Sequence, residues 1–124
     1  NPTAVLLTRG DRYAAELLEE LRERTPGIRI LCAGKLPSGT AEKLSLRDAL
    51  APAERRGRGN AYARGGWWLH DRILTDTALT VIRADVFARR DLLDPRSGTP
   101  LPTYRRQRYT GGIGRYFPIF LYIK

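Results

Sequence analysis

The chain has 124 residues, enough for one domain with its own core, and a composition of 42% hydrophobic and 28% charged residues excludes a disordered tail. A single cysteine, Cys32, excludes an internal disulfide and a cysteine-rich zinc site, and a single histidine, His70, excludes any mechanism that needs two histidines in one chain. The formal net charge of +9 favours a polyanionic partner.

The positive charge is concentrated in the second half of the chain. Residues 1–51 carry 8 basic and 7 acidic residues, a net of +1, whereas residues 52–124 carry 14 basic and 6 acidic residues, a net of +8. Most of the basic residues are arginines, whose planar guanidinium suits phosphate; a GC-rich genome is the alternative explanation of that bias. The second half is therefore expected to build a basic surface.

The first half of the chain reads as strand, helix, strand. Residues 4–8 and 28–33 are apolar runs of strand length, and residues 12–24 carry leucines at helical spacing behind an N-cap candidate, Asp11. This order predicts a right-handed βαβ unit with parallel strands. A second helix is expected over about 41–51.

The second half is expected to complete a mixed sheet. Residues 67–74 and 79–83 are predicted to pair as a β-hairpin, residues 85–93 to form a short helix, and residues 116–123 to close the chain as an apolar strand. The predicted fold class is α/β, with residues 1–124 as a single domain. Because the sequence has no methionine, we expect this domain to be a fragment of a longer protein.

Two loop-rich basic segments, residues 52–66 and 94–115, interleave arginine with glycine and tyrosine. Guanidinium groups contact phosphates and tyrosine rings stack on unpaired bases, although a merely solvated basic loop has the same composition. The residues predicted to bind nucleic acid are Arg55, Arg56, Arg58, Arg64, Tyr104, Arg105, Arg106, Arg108 and Tyr109.

The sequence around the single histidine can carry phosphodiester chemistry. On a strand, His70 and Arg72 would project from the same face. The imidazole can serve as nucleophile or general acid–base, and the guanidinium can neutralise charge that develops on phosphate oxygens, with Asp76 or Asp71 orienting the ring. The candidate catalytic residues are therefore His70, Arg72 and Asp76, without metal or cofactor; a purely structural His70 is the alternative.

The segment Leu69-His70-Asp71-Arg72-Ile73-Leu74, behind a βαβ unit, resembles the phospholipase D superfamily in its divergent His-Asp-Arg branch. That branch includes C-terminal domains of endosome-associated MIT-domain proteins, thought to bind phosphoinositides without cleaving them, and bacterial nuclease-like domains. The resemblance implies a phospholipase D-like half fold, with His70 as phosphohistidine nucleophile and Arg72 in place of a phosphate-binding lysine. The family's aspartate position falls on Thr77, one residue after Asp76. Because the family combines two histidine motifs, the resemblance also implies a homodimer with His70 near the two-fold axis.

The expected function is nucleic-acid binding, to RNA or DNA, with metal-independent nuclease or phosphodiesterase activity at His70 and Arg72 as a further hypothesis. Whether the chain is an enzyme is left open. The alternatives are a non-catalytic adaptor for nucleic acid or anionic lipid headgroups, a small basic RNase toxin domain, and a protein–protein module whose charge only aids solubility. The expected location is the cytoplasm or another intracellular compartment.

Overall fold

The chain forms a mixed α/β fold in which the main sheet contains both parallel and antiparallel strands and the helices are few. The computed structural model describes residues 2–112 and 114–124, so that Asn1 and Ile113 of the predicted domain lie outside the described residues. The coarse fold class expected from the sequence is confirmed.

The chain begins with two long strands and one long helix, and most of the elements that follow are short. In chain order they are β1 (Thr3–Arg9), α1 (Arg12–Arg24), β2 (Arg29–Lys35), α2 (Thr40–Leu44), β3 (Arg47–Asp48), α3 (Ala51–Arg55), β4 (Ala61–Ala63), β5 (Gly66–Trp68), β6 (Arg72–Thr75), β7 (Val81–Val86), a 3-10 helix (Arg90–Leu92), β8 (Tyr104–Arg105), β9 (Arg108–Tyr109) and β10 (Ile119–Ile123).

The predicted strand–helix–strand unit is confirmed, with β1 and β2 parallel and paired over their whole length. They belong to a four-stranded sheet of order β1-β2-β6-β3, in which β6 is antiparallel to both of its neighbours. On one face of this sheet, α1 buries Leu18 against Ile30. On the other face, Ile73 packs with Val86 and Phe117 beneath the β7–β10 ribbon.

The hairpin predicted from residues 67–74 and 79–83 is wrong. All four residues of β6 are buried because β6 lies between β2 and β3, so β6 has no free edge for β7. β7 instead continues through Val86 and pairs with β10, so of the helix predicted over 85–93 only the 3-10 helix Arg90–Leu92 forms. The expected C-terminal strand is confirmed in its second part, since β10 begins at Ile119.

The single helix expected over 41–51 is also wrong, because the chain turns at Ser45. This residue has a left-handed φ of 56° and ends α2, after which Leu46 donates its N–H to Ala41 O at 2.9 Å. The polypeptide then adds the short strand β3 to the sheet before α3 begins. A helical apolar pattern that continues through Ser45 conceals this interruption.

The two loop-rich segments each contain a tight hairpin. β4 and β5 are joined by Arg64 and Gly65, with φ of 52° and 79°, and β8 and β9 by Arg106 and Gln107, with φ of 49° and 67°. Turns with two left-handed residues match the twist of paired strands, but usually carry Asn-Gly or Asp-Gly. The turns Arg64-Gly65 and Arg106-Gln107 carry neither of these pairs, so the sequence did not predict either hairpin.

Candidate functional site

A cleft of about 1280 Å³ opens where the parallel strands β1 and β2 end. Its walls are the last residues of both strands with the loops that follow them, the segment from Trp68 to Arg72, and Tyr116. In α/β sheets the carboxyl ends of parallel strands are the usual place for a ligand, because the diverging loops leave a crevice there. This cleft is the candidate functional site.

Two cations lie side by side at the mouth of the cleft. Arg9 and Lys35 are register partners at the last position of the β1–β2 ladder, and both side chains are exposed. Neither forms an ion pair within the part of the chain that the structure describes. Like charges on opposed strand positions repel each other, and an anion bound between them would remove that cost.

Gly34 brings the two strands into close contact just below these cations. Its φ is 142°, a conformation that favours glycine, and a Cβ atom built there would lie 1.9 Å from the carbonyl oxygen of Thr8. Any other residue would therefore collide with the β1 backbone. The mouth of the cleft depends on this glycine because it sets how closely the two strand ends approach.

His70 lines the cleft but does not lie on a strand, as the prediction required. It occupies the bend between β5 and β6, and 15% of its side chain is exposed. Its ring stacks on Tyr116, with a centroid distance of 3.9 Å, and meets Trp68 edge-on at 5.3 Å. The three rings form a continuous aromatic wall in which Trp68 and Tyr116 are 44% and 40% exposed.

Asp71, and not Asp76, is the carboxylate beside the histidine. Asp71 Oδ2 lies 3.3 Å from His70 Nδ1, although Nδ1 is buried without a hydrogen-bond partner among the described residues. Asp76 follows the far end of β6, where its N–H donates to Ile30 O and its carboxylate accepts from Ala78 N–H. Asp76, predicted as a catalytic residue, does not lie beside His70, because the four residues of β6 separate the two.

Asn60 fixes the segment that carries the histidine. Its side chain is fully buried, with Oδ1 accepting the His70 N–H at 2.8 Å and Nδ2 donating to Asp71 Oδ2 at 2.8 Å and to Phe117 O at 3.2 Å. Its backbone also joins both neighbours, donating to Trp68 O and accepting from Phe117 N–H. A single amide thus holds two walls of the cleft together.

Arg72 is committed to the interior of the fold. Its guanidinium donates to Asp48 Oδ2 at 2.8 Å and to both carboxylate oxygens of Glu54, at 3.2 and 2.7 Å, and only 7% of its side chain is exposed. The hydrogen bonds that Arg72 donates to Glu54 raise the pKa of Arg72; burial opposes this shift, and Asp48 adds to it. Arg72 touches the cleft wall, but its charge is already neutralised, so the predicted role of its guanidinium on phosphate does not fit this geometry.

The predicted basic residues of the first loop-rich segment divide into two groups. Arg58 Nε donates to Asp85 at 2.7 Å, and Arg56 lies 3.8 Å from the same carboxylate. Arg55 and Arg64 are exposed and form no ion pair within the described residues. Only the second group keeps its charge available to a ligand.

The β8–β9 hairpin presents the second predicted basic group. The rings of Tyr104 and Tyr109 pack edge-on at 5.7 Å and remain 63% and 67% exposed. Arg106 and Arg108 are exposed, whereas Arg105 is bound to the buried carboxylate of Asp94. The hairpin therefore carries two aromatic faces and two available cations on an anchored base.

Sequence reasoning missed three residues that line the cleft, Arg9, Lys35 and Tyr116, and also Asn60, which holds its walls together. The first two could have been found, because they end the two strands of a predicted parallel unit and such ends meet at one edge of a sheet. Asn60 and Tyr116 gave no comparable signal, since each joins the site only through tertiary contacts.

Among the described residues, no three histidine, cysteine, aspartate or glutamate side chains come together as a metal site. Nor does any helix in those residues combine the length and apolarity needed to cross a membrane. Comparison of the chain with protein-family models, with curated proteins and with solved structures finds no match.

Proposed function

We propose that this chain binds single-stranded nucleic acid, with a phosphodiester held by Arg9 and Lys35 and bases stacked on the aromatic wall of the cleft. The observation that carries the proposal is the placement of these two cations as register partners, without an ion pair among the described residues, in the same cleft as Trp68 and Tyr116. Proteins that bind single strands combine a basic groove with exposed rings, since every base offers a π-face. The free cations of the β8–β9 hairpin add a second contact to the backbone.

The test is fluorescence anisotropy with short labelled RNA and DNA strands, single and duplex, between about 50 and 200 mM salt. For the variant Arg9→Gln/Lys35→Gln we expect at least tenfold weaker binding. The slope of log K against log salt should become less steep by about 0.7, the contribution of the one phosphate that these two residues hold on a single strand.

A matched control removes the same charge elsewhere. Arg24→Gln/Arg90→Gln alters the end of α1 and the 3-10 helix, where both side chains are exposed, and should change affinity less than about twofold. Equal losses in the two variants would mean a diffuse charge effect and no specific cleft. Binding to anionic lipid vesicles but to no strand would also contradict the proposal.

Stacking of bases on the aromatic wall is tested separately. Tyr116→Ala removes a ring that faces His70 and should weaken binding to single strands about tenfold, because base–aromatic stacking contributes about 1–3 kcal/mol. Tyr122→Ala removes a tyrosine from β10 that is more exposed, at 59%, and should leave binding unchanged. If duplex binding fell as much as single-strand binding, stacking would not be the cause.

A second candidate, metal-independent phosphodiesterase activity, is favoured by the contact between His70 and Asp71 within this same cleft. In this hypothesis a ring nitrogen of His70 bonds to phosphorus as the P–O bond to the leaving sugar breaks, and that oxygen takes a proton from water. The hydroxide left from that water then attacks phosphorus, which breaks the N–P bond and restores the neutral imidazole. Arg9 and Lys35, instead of Arg72, would neutralise the charge on the phosphate oxygens.

Cleavage of labelled strands in the presence of a metal chelator tests this candidate. Activity should be lost in His70→Ala and kept in Arg72→Lys if the latter remains folded. Full activity in His70→Ala would refute it and leave binding alone. The relation to a phospholipase D-like half fold likewise remains a proposal, which is based on the segment from Leu69 to Leu74 and on the opening βαβ unit.

A further inference from the structure

Among the described residues, no strand pairs with the outer edge of β1. β1 is a border strand of the four-stranded sheet, is seven residues long, and pairs with β2 without a bulge. Natural border strands usually carry a charge, a proline or a bulge that prevents pairing with another chain. Between Thr3 and Thr8 this strand has none of them, and Val5 and Leu7 are 63% and 77% exposed.

The backbone groups available at this edge can be assigned residue by residue. At the two ends of the ladder, Pro2 O accepts from Arg29 N–H and Gly10 N–H donates to Lys35 O. Since successive residues of a strand direct their N–H and C=O groups to opposite sides, the even-numbered residues of β1 bond to β2. The odd-numbered residues therefore direct theirs outward, and they are Thr3, Val5, Leu7 and Arg9.

We propose that two copies of this chain associate through β1, in antiparallel register with Val5 of one copy opposite Leu7 of the other. Antiparallel strands exchange hydrogen bonds between facing residues whose N–H and C=O groups both point across the interface. This register pairs two outward odd-numbered residues at every such position. It also joins the two sheets into one continuous eight-stranded sheet.

The pattern of side chains selects this register over its neighbours. Moving one copy by two residues along the other keeps odd-numbered residues opposite each other. In one direction this places Leu7 opposite Thr3, and in the other it places Val5 opposite Arg9, so an apolar side chain loses its apolar partner. In the proposed register Arg9 faces Thr3, which avoids opposing like charges. The two-fold axis passes between the Leu6 residues, not near His70, so this dimer differs from the one implied by the family resemblance.

Charge does not oppose association at this surface. The first half of the chain, which supplies β1, α1 and β2, has a net charge of only +1, and Arg9 is the one charged residue of β1. The strongly basic second half supplies the β8–β9 hairpin and the other basic loop. A second copy is therefore a suitable occupant, because the edge is complementary to itself in hydrogen bonding, places apolar side chains opposite each other and opposes no like charges.

Sedimentation velocity over about a thousandfold range of protein concentration tests the proposal. The native chain should pass from monomer to dimer, and Leu7→Lys should remain monomeric across the range. Ile82→Lys makes the same change at a 64% exposed position on β7 and should dimerise like the native chain. A native chain that stays monomeric throughout, or a dimer that persists in Leu7→Lys, would overturn the proposal.

Engineered disulfides test the register directly, in a Cys32→Ala background that removes the native thiol. A mixture of Val5→Cys and Leu7→Cys proteins should form a crosslinked heterodimer on mild oxidation, because facing residues of an antiparallel pair lie about 5.5 Å apart. Each protein alone should crosslink much less, since neither residue faces its own copy. Preferential crosslinking of either protein with itself would show a different register and contradict the proposal.

Discussion

At the scale of single residues, Asn60 is the most constrained position of the site. Its amide group donates to the Asp71 carboxylate and the Phe117 carbonyl, so a carboxylate in its place would face two acceptors without a proton to share. For Asn60→Asp we expect a loss of about 2–4 kcal/mol in the free energy of unfolding at pH 7, and a smaller loss at pH 5 where the new carboxyl can be protonated.

Urea unfolding at the two pH values measures this effect. Gln107→Glu is the control, because it makes the same amide-to-carboxylate change at an exposed position and should alter stability by less than about 0.5 kcal/mol. Equal stability of Asn60→Asp and the native chain at pH 7 would show that these hydrogen bonds do not hold the cleft walls together.

A substitution at Arg72 can distinguish a structural role of this residue from a ligand-binding role. Lysine in its place keeps the charge but cannot reach both oxygens of Glu54 while also contacting Asp48. Arg72→Lys should therefore lower the free energy of unfolding by about 2 kcal/mol, without changing the salt dependence of nucleic-acid binding in the folded protein.

Chemical unfolding and anisotropy on the same samples check both parts of this prediction. Arg64→Lys, at an exposed turn, is the matched control and should retain native stability. Unchanged stability with weaker binding in Arg72→Lys would return Arg72 to the phosphate-binding role that its sequence position suggested.

Individual residues also show how far a sequence alone can predict the site. The single histidine and its sequence neighbour Asp71 were identifiable because their residue types limit the chemistry they can perform, and both line the cleft. The role of Arg72 was not identifiable, since its partners Asp48 and Glu54 lie 24 and 18 residues earlier in the chain. Long-range contacts of this kind leave no local pattern.

At the scale of secondary structure elements, the β8–β9 hairpin contains strain at its turn. Arg106 and Gln107 both adopt left-handed φ angles, which cost roughly 1 kcal/mol or more for residues with a side chain. Gln107→Gly should therefore stabilise the hairpin by about 1 kcal/mol, whereas Gln107→Ala keeps a Cβ atom and should not.

Hydrogen exchange at the Thr110 amide measures this local stability, because that N–H donates to Thr103 O at 3.0 Å and protects the open end of the hairpin. Slower exchange in Gln107→Gly than in Gln107→Ala is the expected result. The same rate in both variants would mean that the turn imposes no strain on the hairpin.

The elements differ in how well their sequence predicted them. The opening βαβ unit was predictable because its strands and helix are long enough to show complete apolar periods. Elements of two to five residues, such as β3, α2 and α3, are too short to repeat an apolar period and depend on the neighbours they pack against. The partner predicted for β6 was wrong because its four residues, Arg72 to Thr75, are all buried, and neither their burial nor their sequence identifies which strands lie beside them.

At the scale of the whole molecule, basic partners hold several carboxyl groups ionised in the fold. Burial acts to raise the pKa of Asp85, but the Val86 N–H and the guanidinium groups of Arg58 and Arg56 outweigh it, so this pKa lies below its ordinary value. The pKa of Asp94 is lowered by Arg105, and that of Asp11 by Lys43.

A carboxyl whose pKa is lower in the folded chain stabilises the fold above its unfolded pKa, about 3.9, and this contribution is lost as the pH falls through the folded pKa. Thermal stability should therefore be nearly constant from about pH 7 to 5 and should decrease below about pH 4. Asp85→Asn should be less stable than the native chain at neutral pH and lose less on acidification.

Melting curves measured across this pH range check the prediction. Asp91→Asn disrupts an exposed ion pair with Arg89, 60% exposed on each side, and should show the same acid loss as the native chain. An acid loss in Asp85→Asn as large as the native one would show that this carboxyl does not contribute to the decrease.

The order of strands in the main sheet has a consequence for synthesis. β2 ends at Lys35, but its neighbour β6 begins only at Arg72, so the ribosome must add about 37 residues before the edge of β2 can be covered. At 5–20 residues per second this takes roughly 2–7 s. During that interval the nascent chain exposes an apolar strand edge, and a ribosome that pauses within this stretch prolongs the time in which the unfinished sheet can pair with a wrong partner.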